Sequence, residues 1–198
     1  MDPQSETLEA IINRCLQSDQ TAYAALYESC APSIYRLCYG LLMNRQDAED
    51  VMQEAFVYAF KNLHRYDSTR SAFKTWLYTI ALSRCRNLYR RKRLPWMDFA
   101  SLLSPDLPAP RSETPESRLM ETSAKAAVEA ALAELTPRLR EAIVLRYGHG
   151  LTYREIAEVM GCPQKTAESR VRLAHERLRG VLQPVGPGLL EELIGIEA

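Results

Sequence analysis

The sequence predicts an all-α protein of two small helical domains joined by a linker. Three observations carry this reading. Apolar residues recur at three- and four-residue intervals through most of the chain, as on one face of a helix. Between Leu94 and Ser117 that rhythm stops, and Pro95, Pro105, Pro108, Pro110 and Pro115 mark an extended stretch. From Leu151 to Leu182 two helical patterns meet at Gly161, the layout of a helix-turn-helix.

In chain order, Leu8, Ile11, Ile12 and Cys15 predict a short amphipathic helix. Ala22, Leu26, Ile34, Leu37, Leu41 and Leu42 follow at helical spacing, with an interruption or kink expected at Pro32. Asp47 to Asn62 carries a continuous apolar stripe (Ala48, Val51, Met52, Ala55, Phe56, Ala59, Phe60), and Asp47, Glu49 and Asp50 complement the dipole at its start. The polar side of this helix shows Asp50, Gln53 and Glu54 together. A loop of turn formers, His64 to Ala72, leads to a helix marked by Phe73, Trp76, Leu77, Ile80, Ala81 and Leu88. Its end is basic: Arg84, Arg86, Arg90, Arg91, Lys92 and Arg93 lie within ten residues, beside Asn87 and Tyr89. That exceeds what a helix C-terminus needs, and suits single-stranded DNA, with cations tracking phosphates and ring or amide groups meeting bases.

Beyond the proline-rich stretch, Leu119, Ala126, Ala127, Ala130, Ala131 and Leu135 resume the helical pattern. Thr136 and Pro137 are expected to cap and start the next helix, which bears Leu139, Ile143, Val144 and Tyr147 and closes at Gly148 and Gly150. Thr152 with Glu155 predicts a capped start for the first helix of the helix-turn-helix. Gly161 ends it, and Pro163 fits the first position of the second helix. That second helix buries Ala167, Val171, Ala174 and Leu178, and offers Gln164, Lys165, Thr166, Glu168, Ser169, Arg170 and Arg172 near its start, the part that meets bases and phosphates in a major groove.

The 198 residues carry 25 Lys and Arg against 25 Asp and Glu, so the formal net charge is zero. The total hides segregation, acidic around Asp47 to Glu54 and basic around Arg84 to Arg93, which predicts two faces with different partners. The N-terminal MDPQSETLEA has no apolar signal-peptide core, and no apolar run reaches membrane-spanning length, so a cytoplasmic protein without membrane insertion is expected. Five cysteines, each in a helical pattern and none in a CxxC pair, read as buried reduced thiols. His64, His149 and His175 are isolated, so neither a catalytic constellation nor a metal or other cofactor is expected.

Two segments resemble one family. DAEDVMQEAFVYAFKNLHRYD with FKTWLYTIALSRCRNLYRRKR resembles region 2 of the extracytoplasmic-function (ECF) sigma factors of the sigma-70 family, and LTPRLREAIVLRYGHGLTYREIAEVMGCPQKTAESR resembles their region 4. The resemblance implies two helical domains on a flexible linker. Residues 1–94 would form the region 2 domain, 95–117 the linker, 118–183 the region 4 domain and 184–198 a tail outside the common plan. It also implies a subunit that binds core RNA polymerase and directs it to particular promoters, commonly under an anti-sigma factor. On matching positions Asp50, Gln53 and Glu54 would contact the polymerase. Tyr66, Asp67, Ser68, Arg84, Arg86, Asn87, Arg90 and Arg91 would capture the melted −10 element, Asn87 foremost. The helix from Gln164 would read the −35 duplex. Glu168 stands where the family carries a basic residue, which predicts an altered −35 preference. A conventional helix-turn-helix regulator would explain residues 151–182 but not the acidic and basic helices upstream; an adaptor protein would need no DNA contact from residues 84–93.

Overall fold

The computed structural model describes residues 7–93 and 127–182; the proline-rich stretch, the start of the helix expected from Arg118 and the C-terminal tail lie outside them. The described residues form helices throughout. The first unit holds α1 (Leu8–Leu16), α2 (Gln20–Leu42), α3 (Arg45–Lys61), a 3-10 turn (Leu63–Arg65) and α4 (Phe73–Arg93). Each of the first three helices starts on a side chain that accepts a backbone N–H: Thr7, Asp19 and Asn44. The hydroxyl and amide of Thr21 and the Arg14 guanidinium together pull the Asp19 carboxyl down to about 2. Leu26, Ile34, Leu37 and Leu41 of α2 meet Ala48, Ala55 and Ala59 of α3 and Leu77, Ala81 and Leu82 of α4 in the core. The small α3 residues let the helices approach closely.

Pro32 does not interrupt α2, which runs unbroken from Gln20 to Leu42. A proline inside a helix costs about 3 kcal/mol. Leu26, Cys30, Ile34 and Leu37 are essentially fully buried around it, and each large one contributes about 1.5–3 kcal/mol. Pro32 itself is exposed, as is Glu28, the residue whose carbonyl loses its helical amide partner. Packing therefore overrides the local break.

The second unit holds α5 (127–133), α6 (Pro137–Ile143), α7 (Tyr153–Met160) and α8 (Gln164–Leu182). Three local expectations are corrected. The helix over Leu139 to Tyr147 keeps α-geometry only to Ile143, and Val144–Gly148 is a π-helical turn. Thr136 precedes α6 without a side-chain cap bond. The expected features of α7 are present: Thr152 and Glu155 form a reciprocal capping box, and Gly161 turns left-handed (φ 64°). There Cys162 N–H bonds Ala157 C=O at 3.0 Å and Gly161 N–H bonds Glu158 C=O at 3.2 Å, the Schellman closure. Pro163 sits immediately before α8, one position earlier than expected.

The two units pack on each other, α4 against α7 and α2 against the π-turn. Four cysteines are buried in helices, but Cys162 is half-buried in the turn between α7 and α8 rather than on a helix. Cys38 and Cys85 share a hydrogen bond across α2 and α4; that bond and burial raise the Cys85 thiol well above its usual range. No helix among the described residues is long and apolar enough to cross a membrane.

Candidate nucleic-acid interface

Three surfaces gather the residues singled out from the sequence. On α3, Asp50, Gln53 and Glu54 are all exposed, because the alanines and Phe56 turn the opposite face inward. The same stripe continues through Val57, 53% exposed, and Tyr58, 40% exposed. Sequence reasoning missed this pair. Their spacing from Asp50 and Glu54 was the available signal, since four-residue steps return to one helix face.

The Arg84 guanidinium lies 4.6 Å from the centre of the Tyr58 ring, so the acidic stripe and the basic helix share one open depression. Along α4 the helical period places Arg84, Asn87, Arg90 and Arg91 on one arc. Asn87 accepts a hydrogen bond from Arg90 through its side-chain oxygen. Lys92 turns the other way, to Asp47 at 2.5 Å, and ties the end of α4 to the start of α3.

The loop before α4 is shaped by its own residues. Tyr66 donates to Ser71 C=O at 3.1 Å and packs its ring edge-on to Phe73 and obliquely to Trp76. Burial raises the Tyr66 hydroxyl. Asp67 accepts from the Thr69 hydroxyl at 2.7 Å and its amide at 2.9 Å, which hold its carboxyl below the usual range. Asp67 and Ser68 are left exposed.

On α8, Lys165, Glu168, Ser169 and Arg172 line a second open depression with Tyr147, Tyr153 and His175. Thr166 and Arg170 sit on the opposite flank, half-buried, so the structure does not bring all seven residues onto one face. Gln164 donates to Glu168 at 2.9 Å, and Arg172 pairs with Glu176 at 2.8 Å. An exposed pair of this kind is worth roughly 0.3–0.5 kcal/mol, so it restrains Arg172 only weakly. The aromatic rim was not foreseen: Tyr147 stacks on His175 at 6.2 Å, and Arg146 lies over Tyr153 at 4.8 Å.

Two residues behave differently from expectation. Arg86 leaves the open arc and meets Glu141 of α6, Nε to Oε1 at 2.9 Å and Nη2 to Oε2 at 2.8 Å. His149 is not isolated: its Nδ1 lies 3.2 Å from the Tyr78 hydroxyl and 3.5 Å from Ser33 Oγ, in the other unit. Burial, with Arg36 nearby, lowers its pKa to about 4.

Comparison with known proteins places these surfaces in a family. The sigma-70 region 2 model matches residues 26–94, and the sigma-70 region 4 model residues 125–178. The RNA polymerase sigma-H factor of Pseudomonas aeruginosa is 33% identical over 183 residues, covering 89% of this chain and 94% of that protein. The ECF RNA polymerase sigma factor SigW of Bacillus subtilis is 30% identical over 178 residues, covering 87% and 95%. Among solved structures, CnrH in complex with the cytosolic domain of CnrY shares the fold with a TM-score of 0.66 at 24% identity, over 89% of this chain and 97% of that one. RpoE of Bartonella quintana, solved with the anti-sigma factor NepR, gives 0.64 at 23%, over 81% and 96%.

An all-helical pair of units carrying these two matches defines a sigma subunit of RNA polymerase. The chain belongs to the sigma-70 family, in its ECF group. It binds core polymerase and directs promoter-specific initiation, with region 2 serving the −10 element and region 4 the −35 element.

Proposed function

We propose the following assignment of this sigma factor's work to individual residues. Asp50, Gln53 and Glu54, continued by Val57 and Tyr58, form the face that docks on core polymerase. Asn87, Arg84, Arg90 and Arg91 hold the unpaired −10 strand, and Tyr66, Asp67 and Ser68 border it. The observation that carries this reading is the contiguity of the acidic α3 stripe with the open basic arc of α4 through Arg84 and Tyr58. A protein that traps a melted strand must do so where polymerase holds the DNA, because flipping a base costs a few kcal/mol. Gln164, Lys165, Glu168, Ser169 and Arg172 read the −35 duplex, with Thr166 and Arg170 reaching the backbone from the far flank. Two weak contacts joined through polymerase act as one strong one.

The domain limits that fit this division are 1–94, 95–117, 118–183 and 184–198. The chain performs no catalysis of its own and works in the cytoplasm. Control by an anti-sigma factor is part of the reading, supported by RpoE of Bartonella quintana having been solved with the anti-sigma factor NepR. The test is a binding series. Asp50→Lys with Glu54→Lys should weaken association with core polymerase at least tenfold while leaving helicity unchanged. Asn87→Ala should spare that association and weaken binding of the holoenzyme to a forked probe with a single-stranded −10 segment. Equal behaviour of all variants in both assays would refute the assignment.

A further inference from the structure

One apolar side chain stands on α8 where the packing of the helix has no use for it. The helix buries Ala167, Val171, Ala174 and Leu178 along one stripe. At 3.6 residues per turn, Ser169 falls opposite that stripe, with Arg172 to one side of it and Leu173 to the other. Leu173 is 40% exposed and lies outside the buried core. Three other large apolar side chains are exposed among the described residues. Val57 and Tyr58 continue the acidic stripe of α3, and Leu16 is the last residue of α1. Leu173 is the one of the four on the helix assigned to the −35 duplex.

A leucine exposed singly needs no explanation by itself. The neighbours of this one give it a place. Ser169 lies one turn back on the same flank and Thr166 two turns back, while Arg170 and Arg177 stand three residues before it and four after, toward the outer rim. On its other side Arg172 pairs with Glu176 at 2.8 Å, and Glu168 accepts from Gln164 at 2.9 Å. Leu173 therefore projects between polar groups on an open face. Arg172 is its chain neighbour, so a groove deep enough to receive one meets the other.

What such a side chain can recognise in duplex DNA is narrow. The major groove displays donors and acceptors on every base pair, and its apolar group is the 5-methyl of thymine. Serine, arginine or glutamate finds a hydrogen-bond partner there on more than one base. Leucine has neither donor nor acceptor. Set against an amino or keto group, it would strip water without replacing the lost bond, which is costly. Set against a methyl, it removes apolar surface of both partners from water, which is favourable. Arginines beside it suit the phosphates at the groove edge, and phosphate contacts fix the register in which a side chain meets its base.

We propose that Leu173 is a specificity-determining residue of this sigma factor, reading a thymine of the −35 element through its 5-methyl group while Arg170 and Arg177 set the register from the phosphates. The inference rests on the placement of α8 in the −35 duplex. It adds an apolar reader to a face otherwise assigned to polar side chains.

The test uses the full-length protein in holoenzyme, with a −35 sequence selected by the wild type from random duplexes. Each thymine is then replaced in turn by deoxyuridine, which deletes the methyl and keeps every hydrogen-bonding group. One replacement should weaken wild-type binding about fourfold, the worth of one buried methyl. The same replacement should change nothing for Leu173→Ala, because the methyl then has no partner to lose. Alanine is the best helix former and the site is exposed, so this variant keeps its fold. Leu173→Met should retain most of the penalty, since it restores an apolar chain of similar size. A selected sequence without thymine, no uracil penalty in the wild type, or an equal penalty in wild type and Leu173→Ala would each overturn the inference. Weakened assembly of Leu173→Ala with core polymerase, with the uracil penalty intact, would overturn it by making Leu173 a polymerase contact. Failure of the α8 placement itself reads differently: selection would then return no −35 consensus at all.

Discussion

Lowering the pH should loosen the docked form, in which the two units pack together, and His149 sets the size of the effect. In the docked state its ring is buried against Tyr78 of α4 and Ser33 of α2, with Arg36 of α2 as the facing charge, and its pKa falls from 6.5 to about 4. Undocked, the ring regains water and its ordinary pKa. Between those values the separated form takes up a proton that the docked form refuses, so docking is fully favoured above about pH 6.5 and weakens as pH falls toward about 4. Each pH unit crossed within that window costs about 1.4 kcal/mol. Moving from pH 7.5 to 5.5 crosses one such unit, so the docking constant should fall about tenfold. Scattering across that range, on wild type and on His149→Phe, measures it. The wild type should expand as pH falls, and the phenylalanine variant should stay at one size. Equal expansion in both would refute the reasoning by assigning the effect to other groups.

Other consequences concern single residues. Gly161→Ala meets no neighbour within 4 Å, so its cost is the left-handed backbone alone, about 1–2 kcal/mol, read as a lower midpoint in thermal denaturation of region 4 with α8 otherwise intact. Glu168→Lys releases Gln164 and replaces a carboxylate able to accept from cytosine N4; selection from random −35 sequences should yield a different consensus. A uniform gain in affinity across all sequences would show that only charge matters there. Arg172→Ala should weaken −35 duplex binding and lower its salt dependence by about one counterion.

Much of the fold could be read in the sequence because its causes are local. The capping box of Thr152 and Glu155, the turn at Gly161 and the apolar stripe of α3 all act within a few residues. The acidic face was legible for the same reason, since a helix period alone puts Asp50, Gln53 and Glu54 together. Pro32 misled because the burial of Leu26, Ile34 and Leu37 is a tertiary effect larger than the proline's cost. The docked seam was invisible: Arg86 with Glu141 and Gly40 with Val144 pair residues far apart in the chain, and no periodicity records which surface meets which. Gly40 was the one local trace, a glycine inside a helix that had no turn to make; a Cβ there would stand 3.1 Å from Cγ1 of Val144. His149 looked solitary because its partners, Tyr78 and Ser33, belong to the other unit.

The most direct measurement is run-off transcription with purified core polymerase, with and without this protein, on a library of genomic promoter fragments. The account predicts discrete transcripts that require the protein and are lost on Asn87→Ala or Arg172→Ala. Sequence-specific binding of the free protein with no polymerase-dependent transcript would contradict it.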